Sequence, residues 1–328
     1  MTTGLFLTII EAILPILVTL GLGYLAAWRR DFDSHQAGVL IRLVMLYALP
    51  LALLASILST PRERVLSAGP LAGLILVAML GVYVVLFAIL RWGLGRRQGE
   101  AALITMTVTG PSVPFIGIPV LGQLFGPTSA VPISVASLIM NLCQIPLTLI
   151  LMNHDQQRQQ RQQQDAETNP TWQTTLRELG GHLLHSCREP VVWAPMLAFL
   201  MVLANIHLPL PLKSSLQLLG HATGGTALFA SGVVLCARQV RFSLPVGLMV
   251  LGRNVLIPLG VCMLAFVWHL PSLTLQEGVL AMAMPSAAMN VILAMRYHMM
   301  EREIASVLFF GTISSILTLA FFIWLTNA

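Results

Sequence analysis

The sequence has very little charge. Only 9% of its 328 residues are Asp, Glu, Lys or Arg, and Lys213 is its single lysine. A soluble domain usually carries about 25% charged residues. Hydrophobic residues make up 56% of the chain, and the mean hydropathy is +0.83. This composition predicts a polytopic membrane protein whose main surroundings are the lipid bilayer.

The motifs of several other protein classes are missing. The four cysteines (Cys143, Cys187, Cys236 and Cys262) lie far apart without a CxxC pair, which argues against a disulfide framework or a metal site. There is no GxxxxGK[ST], HExxH or GxSxG pattern, and no polar region is long enough to hold a catalytic domain. The arginines are scattered, so no basic stripe for nucleic acid is visible. We therefore expect neither enzyme activity nor a cofactor. We expect a gradient across the membrane to be the energy source of the protein.

Long apolar runs recur along the whole chain. A helix crosses the hydrocarbon core in roughly 20 residues. Ten candidate spans satisfy this length: 5–27, 37–59, 68–91, 101–124, 128–152, 190–206, 215–237, 245–268, 277–296 and 304–326. The fourth and ninth contain internal breaks, and the sixth is short.

The basic residues predict the orientation of these spans. If the N-terminus lies outside, thirteen arginines fall in the cytoplasm, and only Arg62, Arg64 and Lys213 fall outside. The cytoplasmic ones are Arg29, Arg30, Arg91, Arg96, Arg97, Arg158, Arg161, Arg177, Arg188, Arg238, Arg241, Arg296 and Arg302. The positive-inside rule therefore predicts that both termini lie outside. The one long polar loop, 154–188, is then cytoplasmic. We interpret its glutamine-rich first half as a flexible linker and TTLRELGGHLLHSC as a surface helix.

The two halves flanking this loop, 1–153 and 189–328, resemble each other. Pro15 aligns with Pro190 at an offset of 175, and PLALLAS (50–56) aligns with GTALFAS (225–231) at the same offset. Pro111-Ser112 aligns with Pro285-Ser286 at 174. Five spans per half is an odd number, so the second half enters the membrane upside down. This predicts an inverted repeat, the usual plan of secondary transporters.

The breaks at equivalent positions are the predicted binding site. TGPSVPFIGIP (109–119) holds three prolines and two glycines, which a regular helix does not tolerate. Its partner is MPSAAMN (284–290). In inverted repeats such breaks meet near the midplane, where half-helix N-termini favour an anion. The candidates at the breaks are Gly110, Pro111, Ser112, Pro114, Pro285, Ser286 and Asn290.

Further polar residues lie within the spans. Arg253 could hold a substrate carboxylate or brace the breaks. Asn141 and Gln144, three residues apart on one predicted helix face, could bind a carboxylate or form a polar packing seam. Glu11, the one carboxylate well inside a span, could carry a coupling proton or could hydrogen-bond toward the outer surface.

The chain resembles the bacterial auxin efflux carrier family, most closely the branch of malonate transporters. The resemblance rests on GPSVPFIGIPVLGQLFG, REPVVWAPMLA, GGTALFASGVVL and AMPSAAMNVILA, and it covers essentially the whole chain. It implies an all-α fold of ten transmembrane helices in a 5+5 inverted repeat, with helices 4 and 9 crossing at their prolines. It also implies a scaffold of helices 1, 2, 6 and 7, a moving transport unit of the others (an elevator), a homodimer, and a site that includes Ser56, Asn141 and Gln144.

Glycine and methionine stand before the crossing prolines, where the plant auxin carriers have asparagine, so the substrate is not expected to be auxin. We predict a secondary transporter of small organic anions in the bacterial inner membrane, with malonate as substrate and a proton as coupling ion. The alternatives are a metabolite sensor, an auxin-like weak-acid exporter and a passive channel. Sodium coupling and uncoupled transport also remain open.

Overall fold

The computed structural model describes residues 2–58, 69–164, 190–204, 206, 208–238 and 241–326. We name the helices α1 to α10 in chain order, with a and b for the two halves of an interrupted helix. They are α1 (Thr2–Trp28), α2 (34–58), α3 (69–93), α4a (Gln98–Thr109), α4b (113–125), α5 (130–164), α6 (Pro190–Leu203), α7 (Leu210–Arg238), α8 (244–267), α9a (Ser272–Met282), α9b (Met289–Arg296) and α10 (Glu301–Thr326). In the described residues β-type pairing is limited to one isolated β-bridge, between Pro111 and Ser286.

Each predicted span corresponds to helix in the structure, and the predicted breaks in the fourth and ninth spans are confirmed. α4a stops at Thr109 and the chain resumes helical geometry at Val113. α9a stops at Met282 and α9b starts at Met289. The interruptions fall on the proline-containing stretches, as expected for residues that lack a backbone donor.

In four π-helical turns, a proline is the second residue after the end of the turn. The turns are Val44–Ala48, Val113–Gly117, Met140–Gln144 and Gly252–Leu256, and the prolines are Pro50, Pro119, Pro146 and Pro258. A proline ring clashes with the carbonyl four residues earlier, so the preceding turn widens to make room. These prolines account for the departure from α geometry at these four turns, whereas the π-helical turns Val77–Gly81 and Ile89–Gly93 of α3 have no such proline.

The interpretation of the glutamine-rich segment as a flexible linker is wrong for its first part. The helix Ile145–Gln164 extends α5 through residues 154–164 without a break. Gln and Arg have good helix propensity, so a preformed helix entering this stretch continues along it. The segment TTLRELGGHLLHSC (174–187) lies outside the described residues.

The surface of the bundle is apolar, and its centre holds the interrupted helices. Six helices in the described part of the chain are long and apolar enough to cross a membrane: His35–Ala52, Gly69–Gly93, Val131–Gln156, Ser214–Ala237, Leu244–Val267 and Glu301–Thr326. Large side chains such as Leu218 (79% exposed) and Phe266 (78%) point outward, while α4a, α9b and the second half of α9a are almost fully buried. An apolar exterior of this kind is stable in lipid, and the chain is a multi-pass membrane protein.

Two pairs of helices make the largest contacts outside the buried centre. α1 packs along α7, and α6 packs along the second half of α2. α1 and α7 approach closely because glycines face each other's backbone. A Cβ on Gly232 would lie 2.1 Å from the carbonyl oxygen of Leu20, and one on Gly23 would lie 2.0 Å from that of Phe229. Small residues at a crossing allow such backbone contact between membrane helices.

Candidate functional site

The two breaks meet in an antiparallel contact that we call the crossing, comprising residues 110–112 and 283–288. The N–H of Ser112 donates to the carbonyl of Pro285 at 2.8 Å, and the N–H of Ala287 donates to the carbonyl of Gly110 at 3.2 Å. Lipid offers no partner to backbone groups released by a helix break, so protein must supply one. The crossing supplies it by pairing one break with the other. This brings together Gly110, Pro111, Ser112, Pro285 and Ser286, as the sequence predicted.

Arg253 binds the crossing from α8. Its side chain is 0% exposed and makes four hydrogen bonds, all to backbone carbonyls. Nε donates to Met284 (2.9 Å), Nη2 to Met282 (2.7 Å), and Nη1 to Val108 (3.2 Å) and Thr109 (3.1 Å). One guanidinium thus caps the C-terminal ends of α4a and α9a together. Of the two roles that the sequence left open, these contacts favour bracing the breaks over direct contact with a substrate.

This cap changes the electrostatic balance at the crossing. Four half-helix ends meet there, and the C-terminal ends of α4a and α9a carry partial negative charge. The positive charge of Arg253 offsets both. The N-terminal ends of α4b and α9b, which carry partial positive charge, face the same region without such an offset. The region is therefore suited to a negatively charged group.

Asn290 lies in the first turn of α9b and is fully buried. Its Nδ2 donates to Oγ of Ser286 at 2.8 Å, which fixes the amide beside the crossing. Its Oδ1 is buried and, in the described residues, has no hydrogen-bond partner. A buried amide oxygen without a partner is costly, so this group is available to a donor that enters the site.

Gln144 reaches the crossing from the π-helical turn of α5. Its Nε2 donates to the Thr109 hydroxyl at 2.9 Å and to the Met79 carbonyl at 3.0 Å, and its buried Oε1 has no partner in the described residues. Asn141 is buried in the same turn. Both amides are thus buried in the same π-helical turn, and a shared role in binding a carboxylate stays a prediction.

A small cavity adjoins the crossing. Hydroxyl-bearing residues Ser112, Ser286 and Thr312 line it, together with apolar residues of α1, α4b, α7, α9b and α10: Ile16, Ile116, Leu228, Ala288 and Leu308. The space open to the centre of a water molecule is about 10 Å³, which is the room that one water needs. The cavity lies where the closely packed α1 and α7 meet the interrupted helices.

Three predicted residues cannot be placed at atomic detail. Glu11 belongs to α1, Ser56 to α2 and Pro114 to the π-turn that opens α4b, but their side chains lie outside the described residues. The sequence reasoning missed Thr312 and the buried Glu277. The hydroxyl-rich run GTISS inside an apolar helix indicates that Thr312 is a candidate site residue. Glu277 was not a candidate because it is the first residue of the predicted span 277–296.

These features define the class: a helical membrane transporter with paired, interrupted helices at its centre. A sequence profile described as "Membrane transport protein" matches residues 8–323. The chain belongs to this family, which confirms the resemblance to the auxin efflux carriers.

Individual relatives cover nearly all of the chain. The "Uncharacterized transporter YfdV" of Escherichia coli K12 is 29% identical over 96% of both chains. A "Putative malonate transporter" of Rhizobium meliloti is 24% identical over 96% of this chain and 95% of its own.

Proposed function

We propose that this transporter carries small organic anions, with malonate as the preferred substrate, and that it binds them at the crossing. The observation that carries the proposal is the position of Arg253, whose guanidinium neutralises the C-terminal ends of α4a and α9a. The partial positive charges at the N-terminal ends of α4b and α9b then dominate the electrostatic field at the crossing. Hydroxyls of Ser112 and Ser286 lie beside the same cavity. The name of the Rhizobium relative supports a dicarboxylate.

The membrane arrangement that we propose is ten spans in a 5+5 inverted repeat. Two π-helical turns support it, because Val77–Gly81 in α3 and Gly252–Leu256 in α8 lie 175 residues apart, the offset found from the sequence. The packing is also reciprocal: α1 lies on α7, and α6 lies on α2.

A third correspondence concerns the ends of the repeats. Beside the start of α4a, Arg97 forms an ion pair with Asp155 of α5 at 3.3 Å. Near the start of α9a, Gln276 donates to the carbonyl of Thr326 at the end of α10 at 2.9 Å. In each half, the interrupted helix is therefore held at its start by the last helix. Both termini would lie in the periplasm, as the arginine distribution predicts.

Alternating access by an elevator movement is the mechanism that we propose. In the arrangement implied by the family resemblance, α1, α2, α6 and α7 form a scaffold, and the remaining helices move. The cavity lies between the two groups, since Ile16 and Leu228 belong to the first and the crossing to the second. Its volume excludes malonate, so this conformation corresponds to a closed state. Sliding of the transport unit along α1 and α7 would open the site to one side at a time, within a homodimer.

Counterflow in proteoliposomes tests this function. Vesicles preloaded with unlabelled malonate should take up labelled malonate transiently and saturably, and malate, lactate and indole acetate should compete in an order that reveals the preferred charge. A sensor would bind malonate without counterflow, and a channel would conduct it without saturation. Transport of a cation or neutral solute, with no carboxylate carried, would contradict the anion site.

A further inference from the structure

A buried carboxyl lies in the other half of the interrupted helix α9. Glu277 is in the second turn of α9a and is 6% exposed. Thr128 lies beside it, in the short turn Gly126–Ser129 between α4b and α5, and its hydroxyl donates to the carbonyl of Phe125 at 2.9 Å. Thr128 is itself exposed. The buried carboxyl therefore lies next to a residue that faces the surroundings.

The helices around Glu277 offer it no cation in the described residues. α9a packs against α3, α4b, α5, α8 and α10. Apart from the charged residues at the start of α10, the described segments in contact hold one titratable side chain, the thiol of Cys262. α10 starts with Glu301, Arg302 and Glu303. Gln276, the neighbour of Glu277 in α9a, is hydrogen-bonded to the other end of α10, at Thr326. At 1.5 Å per residue, the three charged residues lie roughly 35 Å along α10 from Thr326. Arg91 lies at the far end of α3, and His154 and Asp155 lie at the far end of α5. His269 is exposed in the turn before α9a.

We propose that Glu277 is the protonation site through which a proton gradient drives anion transport. This inference rests on the proposed function. Within the described residues this buried carboxyl has no cationic partner, and such a carboxylate is costly in low dielectric, so proton binding relieves that cost. Glu277 lies eight residues before Pro285, roughly 12 Å along the chain, within the unit proposed to move. Glu11 lies in α1, which the same arrangement keeps still.

Charge balance gives the link between proton and substrate. With Arg253 positive, Glu277 ionised and a monoanion bound, the central part of the transport unit carries one net negative charge. Protonation of Glu277 brings this to zero, and a neutral unit crosses the membrane interior at the least electrostatic cost. The proposal is thus a symport of one proton with each monoanion, which for malonate is its singly protonated form, hydrogen malonate, loaded from the outer side beside the exposed Thr128.

Glu277→Gln tests the proposal because glutamine imitates the protonated carboxyl. In proteoliposomes, the wild type should accumulate labelled malonate when the outside is acidified. The variant should lose at least tenfold of this accumulation and should keep counterflow at equal pH on both sides. Glu303→Gln, at the start of α10, is the matched control and should behave like the wild type. Accumulation by Glu277→Gln at the wild-type level would overturn the proposal, as would loss of counterflow in a folded variant.

A second variant leaves the carboxyl in place. Thr128→Val removes the polar group beside the carboxyl, so the external pH of half-maximal accumulation should change. An unchanged pH profile would count against Glu277 even if Glu277→Gln does not fold. If the wild type itself shows no counterflow of any carboxylate, the proposed function fails, and that result is distinct from a failure of coupling alone.

Discussion

The backbone of Ser112 and the backbone of Pro285 are joined by a hydrogen bond of 2.8 Å, although 173 residues separate them in the chain. Together with the bond between Ala287 and Gly110, it makes the two helix breaks a single structural unit. Neither break could persist alone in lipid, because its free backbone groups would lack partners. The crossing is therefore both the fold's centre and the place where polar groups are exposed to a small cavity.

Arg253→Met should destabilise the protein. It leaves four buried carbonyl acceptors without their guanidinium donor, and each unsatisfied group costs about 1–3 kcal/mol. We expect the unfolding temperature in detergent to fall by several degrees at least, and Arg253→Lys to recover only part of it, because an ammonium lacks the planar fork. Arg29→Met, at an exposed helix end, is the control. A stable Arg253→Met protein that had lost only malonate affinity would instead show that Arg253 binds the substrate directly.

Ser112→Ala and Asn290→Ala should each weaken malonate binding while leaving the protein folded. Both residues lie beside the crossing, and Asn290 contributes one side-chain hydrogen bond to Ser286, which is worth about 1 kcal/mol. Loss of a hydrogen bond to a charged ligand costs about 1.5–3 kcal/mol, or roughly ten- to hundredfold in Kd. Equilibrium binding of labelled malonate measures this, with Ser306→Ala as control. Aggregation of both variants during size-exclusion chromatography would indicate that these side chains serve the fold alone.

Gly232→Ala should disrupt the contact between α1 and α7. The added methyl would lie 2.1 Å from a backbone carbonyl of α1, which cannot move away without shifting the helix. Overpacking of this kind costs about 1–3 kcal/mol or more. Gly225→Ala on the same helix is a matched control, since a Cβ there meets nothing within 4 Å. Thermal unfolding of the two purified variants compares them. Equal unfolding temperatures would contradict the close approach of these helices.

The positions of the helices and of both breaks could be predicted from the sequence because apolar run length and proline are local properties. Pro111 and Pro285 indicated where helices stop, and their shared offset indicated that they are partners. The sequence also shows the prolines that follow four of the π-helical turns: Pro50, Pro119, Pro146 and Pro258. The continuation of α5 to Gln164 was missed because a polar composition was taken to mean a flexible chain, although Gln and Arg extend a helix well.

The role of Arg253 could not be decided from the sequence, because it depends on which groups converge on it in three dimensions. Its partners are carbonyls of Val108, Thr109, Met282 and Met284, residues whose side chains give no hint of the contact. Glu277 presents the same difficulty. Its burial follows from the packing of five segments around α9a, most of them far away in the chain.

The central claim is that the crossing binds an anion, and comparison of Asn290→Asp with Asn290→Ala tests it most directly. Aspartate has nearly the shape of asparagine, and the Ser286 hydroxyl can donate to it, so the local fold should be kept. A negative charge about 5 Å from a bound carboxylate costs about 3 kcal/mol at an effective dielectric constant of 20.

The measurement is the Kd of purified, reconstituted protein for labelled malonate at neutral pH. We predict that malonate binds most tightly to the wild type, less tightly to Asn290→Ala and at least tenfold more weakly again to Asn290→Asp. Binding to Asn290→Asp that equals or exceeds binding to Asn290→Ala would contradict an anion site at the crossing.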